Sequence, residues 1–209
     1  MNEILDTKFD YNFLFKVIIF FLVVFFSKLL FSNPVNEIDI KNKDGFYNFF
    51  VEIPAGTKQK WEVNKQDGIL EWEKKKGKKR VVKFLSFPGN YGFIPQTRGD
   101  DGDALDVIDL DESVKRGTIK NIRIIGGLYF EDKKKEDIKF IGVDPNGTFG
   151  NIETIQELLL NKFSVLEILR TWFESYKKSG KMVFFKFLEN DESVEIIENS
   201  HKRWKLLKD

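Results

Sequence analysis

The chain lacks cysteine and has a single histidine, and these two scarcities remove several classes of chemistry. Without cysteine there is no disulfide, no thiol nucleophile and no cysteine-ligated zinc. Serine–histidine triads and most zinc sites need a histidine. The one histidine, His201, lies near the C-terminus among Lys and Arg, where we expect it at the surface. An enzyme made from this chain would therefore rely on carboxylates, Lys, Arg, Tyr and hard metal ions.

The chain is almost neutral overall, but its negative charge is concentrated in one place. The chain has 209 residues, enough for one domain with a core, and a formal net charge of +1. Seven of the thirteen residues from Asp100 to Glu112 are nevertheless acidic, and none of the thirteen is basic. Like charges this close repel each other, so this acidic cluster needs a physical explanation.

A separate hydrophobic segment occupies residues 13–31. Its centre, Val17 to Phe26, is uninterrupted apolar sequence with Lys16 before it and Lys28 after it. The pattern predicts an N-terminal hydrophobic helix that targets or anchors the chain to a membrane, with a helix packed on the domain as the alternative. It favours an exported or membrane-anchored protein of the cell envelope over a cytoplasmic one. We predict a segment 1–33 followed by a folded domain 34–209.

The rest of the chain reads as an α+β domain. Period-two alternation and short apolar runs predict strands over 45–54, 58–65, 68–73, 81–85, 105–110, 118–131, 137–144 and 181–188. Spacings of three and four predict helices over 152–163, 164–178 and 191–207. Residues 86–97, with two prolines and two glycines, are predicted as a loop. A small β-barrel with helices packed on it fits this order best.

The acidic cluster admits four interpretations. A solvated acidic loop is the simplest, but Asp103 leads directly into an apolar strand, which would hold the carboxylates together. An EF-hand calcium loop fails, because counting from Asp101 puts Leu105 at position 5 and an aspartate where glycine is required. An aspartyl-phosphate hydrolase fails too, because the strand follows the motif instead of preceding it. A magnesium site of oxygen ligands remains, with several ions holding a polyanionic phosphate substrate.

The motifs then carry a resemblance to a known family. The segment "GDDGDALDVIDL" resembles the D-x-D-P-x-D signature of the soluble family I inorganic pyrophosphatases, and "FPGNYGFIPQT" resembles the segment before that signature. The resemblance covers about Phe49 to Phe187 in the same order. Two departures stand out. Phe87 replaces a tyrosine that would offer a hydroxyl to phosphate, and Ala104 replaces the proline of the signature.

The resemblance implies roles for thirteen positions. The implied metal-site carboxylates are Glu52, Glu62, Asp101, Asp103, Asp106, Asp132 and Asp137. The implied phosphate-binding residues are Lys60, Arg80, Lys139, Tyr176 and Lys177, with Lys79 as an alternative to Arg80 after a one-residue shift. Tyr91 matches an active-site tyrosine, and Asp103 is also implied as the general base.

The resemblance also implies a fold and an activity. The fold would be a five-stranded, OB-like β-barrel with flanking helices, and the activity would be hydrolysis of pyrophosphate with several Mg²⁺ ions per site. Relatives commonly form hexamers, so a homo-oligomer is expected, with membrane association through residues 13–31. Two alternatives stay open: a non-catalytic barrel that binds a polyanion, and a related phosphohydrolase acting on polyphosphate or nucleotides. The aspartates argue against nucleic acid, because carboxylates repel a phosphate backbone unless metals intervene.

Overall fold

The computed structural model describes residues 15–20, 33–65, 67–177 and 181–207. The chain divides into two compact units, Met1–Ser32 and Asn33–Asp209. Within the first unit, residues 15–20 are helical and largely exposed. The remainder of the hydrophobic helix expected over 13–31 lies outside the described residues, so that helix and the boundary between 33 and 34 stay predictions.

The described part of the second unit contains strands followed by helices. In chain order the elements are α1 (Pro34–Glu37), β1 (Tyr47–Ile53), β2 (Trp61–Val63), β3 (Leu70–Trp72), β4 (Lys74–Lys75), β5 (Lys78–Lys79), β6 (Asn90–Ile94), β7 (Leu105–Asp109), β8 (Ile119–Asp132), β9 (Lys135–Val143), α2 (Ile155–Tyr176), β10 (Met182–Leu188) and α3 (Asn190–Leu206). This order matches the α+β class expected from the sequence.

Five strands form a closed ring of backbone pairing. The order is β1, β6, β7, β9 and β8, and β8 pairs with β1 again, while β10 extends the sheet on the far side of β8. Strands β7 and β9 pair in parallel, and the other neighbours in this sheet are antiparallel. The architecture is therefore a mixed sheet with a ring of strands and a few helices, and β2–β3 and β4–β5 form two small separate hairpins.

Helix α2 covers one side of the largest hydrophobic core. Its residues Leu166, Leu169, Trp172 and Phe173 are buried, which matches the apolar face expected from their spacing. The two helices predicted over 152–178 are present as two helical stretches of α2 that meet at a kink at Lys162, whose φ of −146° is not helical. Burying this face ties the C-terminal end of α2 to the strand ring.

One predicted strand and one predicted loop are wrong. Residues 81–85 form no strand, and Val81 makes only an isolated bridge to Gln59. The segment predicted as a loop contains β6. Its glycines suggested irregular structure, but Gly92 instead permits close approach of β1, because a Cβ there would lie 1.9 Å from the carbonyl oxygen of Phe50.

The prediction that His201 lies at the surface is also wrong. Its side chain is buried, its Nδ1 lies 2.6 Å from the carbonyl oxygen of Gln96, and its ring stacks on that of Trp204 with a centroid distance of 5.8 Å. The charged neighbours in sequence point elsewhere around α3. A tertiary contact, which the local sequence does not reveal, covers this histidine.

Candidate active site

A buried lysine lies between two predicted metal-site carboxylates. The parallel pairing of β7 with β9 puts Asp106 beside Lys139, whose side chain is only 3% exposed, and the lysine ammonium contacts the carboxylates of both Asp106 and Asp137. Burial alone would lower the pKa of Lys139, but the neighbouring acidic groups, with Asp106 foremost, outweigh it and raise this pKa well above its usual range. Lys139 is therefore a fixed cation of the site.

A second lysine joins the carboxylates on the neighbouring hairpin. Asp132 ends β8 and Asp137 lies on β9, and the Nζ of Lys177 is 2.7 Å from Asp132 Oδ2 and 3.3 Å from Asp137 Oδ2. The other carboxylate oxygen of Asp132, Oδ1, is buried and has no hydrogen-bond partner within the described ranges. A buried carboxylate oxygen of this kind can accept a cation.

The ring of Tyr91 lies close to two lysines of the site, Lys60 and Lys139. It lies on β6 with 5% exposure, and the Nζ atoms of Lys60 and Lys139 are 5.3 and 5.7 Å from its ring centroid. Burial, reinforced by the charge of Asp106, raises the pKa of Tyr91 well above its usual range. The phenol therefore stays protonated and can donate a hydrogen bond at neutral pH.

Glu52 is held beneath the site in the core. It is 7% exposed on β1, and its Oε1 accepts a hydrogen bond from the backbone N–H of Val63 at 2.7 Å. Burial raises the pKa of Glu52 to about 7, against the lowering effect of Lys60. Glu62, predicted beside it as a metal-site residue, is instead exposed on β2, opposite Glu71 in register.

Arg80 is paired with an acid that we did not predict. Its Nη1 donates to both carboxylate oxygens of Glu73, at 2.8 and 2.7 Å. Lys79 is exposed and its Nζ lies 4.6 Å from the centroid of the Trp72 ring. Glu73 could have been found from the sequence, because it and Arg80 flank the "KKKGKK" hairpin at matched positions.

The remaining signature aspartates lie on the loop 95–104 between β6 and β7, which we call the aspartate loop. The Oδ1 of Asp101 accepts a hydrogen bond from the backbone N–H of Asp103 at 2.9 Å, and Gly99 N–H donates to the carbonyl oxygen of Asp103 at 2.7 Å. The Asp103 carboxylate is half exposed and contacts Lys65, a cation that sequence analysis also missed. Such an exposed ion pair contributes little stability, so Asp103 is accessible to other partners.

A row of aromatic rings closes the site on the side of α2. Tyr176 stacks on Trp172 with a centroid distance of 4.7 Å and an interplanar angle of 7°, and Lys177 lies 5.4 Å from the Tyr176 ring. Phe87 is buried, 4.6 Å from Trp172 and 5.3 Å from Tyr91 between ring centroids. The residue in which the sequence departs from the family pattern thus contacts the predicted active-site tyrosine.

The structure joins part of the predicted site into one chain of contacts. The joined residues are Lys60, Tyr91, Asp106, Asp132, Asp137, Lys139 and Lys177, with Tyr176 at the end of the row. Among the described residues, the hydrogen bonds and ion pairs of Asp101, Asp103 and Arg80 go to other partners. The predicted residues therefore form a central cluster, with the aspartate loop and the basic hairpin as separate elements.

The chemistry of these side chains suits a hard divalent cation. Within the described ranges no three acidic or histidine side chains are spaced to enclose a metal ion, and lysine ammonium groups lie between the carboxylates instead. The donor set is nevertheless composed of carboxylate oxygens, which Mg²⁺ prefers, and Asp132 Oδ1 has no hydrogen-bond partner among the residues that the structure describes. These residues fit metal binding in their chemistry.

Several known proteins resemble the chain. The inorganic pyrophosphatase of Campylobacter jejuni is 32% identical over 175 residues, which cover 80% of this chain and 95% of that protein. The soluble inorganic pyrophosphatase of Oryza sativa subsp. indica is 30% identical over 176 residues, 81% of this chain and 78% of the relative. In structure, the N-terminally truncated vacuolar soluble pyrophosphatase of Trypanosoma cruzi, solved in complex with PPi, matches with a TM-score of 0.78 at 23% identity, over 85% of this chain and 80% of its own.

These matches correct one prediction. The expected location in the cell envelope, as an exported or membrane-anchored protein, is wrong, because the chain matches relatives such as the rice protein that are described as soluble pyrophosphatases. Within the ranges that the structure describes, no helix is both long and apolar enough to cross a membrane.

The family is settled by a match that spans most of the chain. The family model described as inorganic pyrophosphatase matches residues 49–205, which include every predicted site residue. This match begins where the resemblance in the sequence begins and extends into α3. The prediction from the sequence motifs is confirmed, and the chain belongs to the inorganic pyrophosphatase family.

Proposed function

We propose that the chain hydrolyses inorganic pyrophosphate to two phosphates with Mg²⁺ at the lysine–aspartate cluster. The observation that carries this proposal is that Lys139 and Lys177 alternate with the carboxylates of Asp106, Asp132 and Asp137 in one partly buried group of contacts. Pyrophosphate is a polyanion, and phosphoryl transfer depends mainly on positioning and charge neutralisation. A site with fixed cations and carboxylates for metal ions supplies both.

The carboxylates would hold the metal ions. Asp101, Asp106, Asp132 and Asp137 are the first candidates, and Glu52 and Glu62 are further ones. Bound Mg²⁺ would neutralise phosphate oxygens and lower the pKa of a coordinated water. The Oδ1 of Asp132, buried and without a partner in the described part of the chain, supports this assignment, because an ionised oxygen in a buried position needs a cation or donor.

The protein's own groups would divide the remaining work. Asp103, half exposed at the tip of the aspartate loop, accepts the proton of the attacking water as general base. Lys60, Arg80 and Lys139 orient the phosphates, and Tyr176 with Lys177 holds the departing one. Tyr91 donates a hydrogen bond to the substrate, since its raised pKa keeps the phenol protonated.

The test compares substrates for the full chain. Phosphate release is measured from pyrophosphate, tripolyphosphate and nucleoside triphosphates, each with Mg²⁺ and with EDTA. The proposal predicts that pyrophosphate gives the highest kcat/KM and that EDTA abolishes release. Faster turnover of tripolyphosphate or nucleotides would instead support the broader phosphohydrolase, and no turnover with salt-dependent nucleic acid binding would support a binding barrel.

We also propose the finer architecture and assembly. The closed ring of β1, β6, β7, β9 and β8 is an OB-like barrel, which its five-strand closure supports.

The chain assembles as a homo-oligomer, a hexamer by family resemblance. Exposed Val183 and Phe185 on β10, the last strand of the sheet, support a contact between copies. Sedimentation velocity measures the assembly, and a monomer at micromolar concentration would contradict it.

A further inference from the structure

Helix α3 is attached to the aspartate loop at three points. The Nδ1 of His201 lies 2.6 Å from the carbonyl oxygen of Gln96, and the Oγ of Ser200 accepts a hydrogen bond from the backbone N–H of Arg98 at 2.7 Å. Further along both elements, the guanidinium of Arg203 contacts the carboxylate of Asp100. The helix thus holds the loop backbone at two positions and a side chain at a third.

Two of these contacts are made by buried side chains of α3, which hold the loop backbone. Ser200 is 1% exposed and His201 is 8% exposed. A backbone N–H or C=O that loses its partner in such a place is costly, so the loop cannot easily leave the helix. Arg203 and Asp100 are solvent-accessible, so their contact is the weaker one and guides the tip of the loop.

The loop's internal hydrogen bonds determine its shape, and its tip is oriented by the contacts with α3 together with the contact between Asp103 and Lys65. The hydroxyl of Thr97 donates to the carbonyl oxygen of Ile94 and accepts from the N–H of Leu105, which closes the base of the loop. Residues 99–103 form a turn closed by the hydrogen bond from Gly99 to Asp103. This turn carries Asp101 and Asp103, and α3 holds it through Arg98 and Asp100 on its near side.

The backbone of Gln96 shows that the loop depends on its surroundings. Its φ is +54°, in the left-handed region that residues other than glycine avoid. Such a conformation persists only where neighbouring groups enforce it. Here the N–H of Gln96 donates to the carbonyl oxygen of Val35 at 2.7 Å, and His201 contacts the carbonyl oxygen of Gln96 itself.

We propose that Ser200, His201 and Arg203 are positioning residues for the reaction, which act by holding the aspartate loop so that Asp101 and Asp103 face the site. The roles of those two aspartates rest on the proposed function, whereas the contacts of α3 with the loop do not. None of the three residues on α3 is among the residues assigned to substrate or metal. Their contribution passes through the loop alone.

The experiment uses the full chain and two matched variants on one turn of α3. Arg203→Gln removes the charge that contacts Asp100, while Lys202→Gln removes the same charge from a neighbour whose Nζ donates to Asn199 Oδ1 at 3.4 Å. Arg203→Lys restores a cation as the conservative variant. Hydrogen–deuterium exchange of peptides covering 96–104 is followed in EDTA, and Mg²⁺ binding is measured by calorimetry.

We expect Arg203→Gln to speed exchange in the aspartate loop and to weaken Mg²⁺ binding about two- to five-fold, because the contact is exposed. Arg203→Lys should recover part of both effects, and Lys202→Gln should change neither. Ser200→Ala, which removes the buried hydroxyl that accepts from the Arg98 amide, should speed loop exchange about ten-fold. The kcat should fall more than KM rises, because Asp103 is misplaced while the phosphate-binding lysines stay in place.

Equal loop exchange and Mg²⁺ binding in Arg203→Gln and Lys202→Gln would overturn the proposal. If Ser200→Ala unfolds the protein, the exposed Arg203 pair still decides the question, since its side chain is not part of the core. Should the wild-type chain fail to hydrolyse pyrophosphate, the proposed function fails. Loop exchange in EDTA would then still show whether α3 holds the loop.

Discussion

The guanidinium of Arg80 donates from one nitrogen, Nη1, to both carboxylate oxygens of Glu73, at 2.8 and 2.7 Å. The pair flanks the hairpin of β4 and β5, whose turn residues Lys76 and Gly77 both have positive φ. Charge-assisted contacts of this kind fix an arginine in one orientation. Arg80 is thus an ordered cation at the base of a hairpin whose lysines on β4 and β5 are exposed.

This difference predicts which of two neighbouring cations binds phosphate. Arg80→Gln should raise KM for pyrophosphate about ten-fold or more, because hydrogen bonds to a charged group contribute about 1.5–3 kcal/mol. Lys79→Gln should leave KM within about two-fold, because Lys79 is exposed over the Trp72 ring. Steady-state phosphate release measures both. A larger effect at Lys79 would show that the motif is shifted by one residue.

Lys139 should stabilise the protein most when metal is absent. Lys139→Met keeps the volume but leaves Asp106 and Asp137 facing each other without their buried cation, which should lower the free energy of unfolding by about 3–5 kcal/mol in EDTA. Mg²⁺ should recover a large part of the loss, because a cation replaces the ammonium.

Lys135→Met is the matched control for that change, because Lys135 lies on the same strand and is exposed. Urea unfolding of both variants in EDTA and in Mg²⁺ provides the measurement. Similar losses for the two variants, or a loss at Lys139 that Mg²⁺ leaves unchanged, would contradict the assigned electrostatic role.

The buried carboxyl of Glu52 should give the stability of the metal-free protein a defined pH dependence. Burial raises the pKa of Glu52 from about 4.5 to about 7, so between these values the folded state holds a proton that the unfolded state has released. The contribution of this group to the free energy of unfolding is therefore present below pH 4.5 and declines as pH rises through 7.

Glu52→Gln removes this titration while keeping an oxygen to accept from Val63. Relative to wild type, the variant should gain up to about 3 kcal/mol between pH 4.5 and pH 7.5, since one pKa unit corresponds to about 1.4 kcal/mol. Urea unfolding in EDTA across this range tests the prediction, with exposed Glu71→Gln as the control. Parallel pH profiles for Glu52→Gln and wild type would refute it.

Phe87→Tyr should strengthen substrate binding. The Phe87 ring contacts Tyr91 and Trp172, and a hydroxyl on it restores the phosphate donor of the family pattern. We expect KM for pyrophosphate to fall about ten-fold. Phe93→Tyr, at a buried phenylalanine packed on Phe50, should leave KM unchanged and destabilise the fold by about 1–3 kcal/mol. If Phe87→Tyr destabilises the fold and leaves KM for pyrophosphate unchanged, its hydroxyl does not reach the substrate.

The sequence predicted best those features that depend on local pattern. Strands β1, β8 and β9 have long apolar stretches, and the buried face of α2 follows from residues spaced three and four apart. Strand β6 was missed because Gly89 and Gly92 suggest a loop, whereas the close approach of β1 requires glycine at position 92. Pairing with another strand overrides local preference.

The candidate site, like the fold, was predicted only where it depends on local sequence. The order of motifs located the carboxylates, lysines and tyrosines, but it could not show that Lys177 lies between Asp132 and Asp137. That relation depends on where the end of α2 meets the hairpin of β8 and β9. Burial of His201 likewise follows from contact between α3 and the aspartate loop, two segments about a hundred positions apart in sequence.

The most direct test of the central claim is the rate of phosphate release from pyrophosphate at saturating Mg²⁺ by Asp103→Asn, relative to wild type. If Asp103 is the general base, kcat should fall about 10²- to 10⁴-fold while the fold is retained, and wild-type release should cease in EDTA. Glu112→Gln, which removes an exposed carboxylate from the same acidic stretch, should keep the wild-type rate. An Asp103→Asn enzyme as fast as Glu112→Gln would contradict the claim that this carboxylate activates the attacking water.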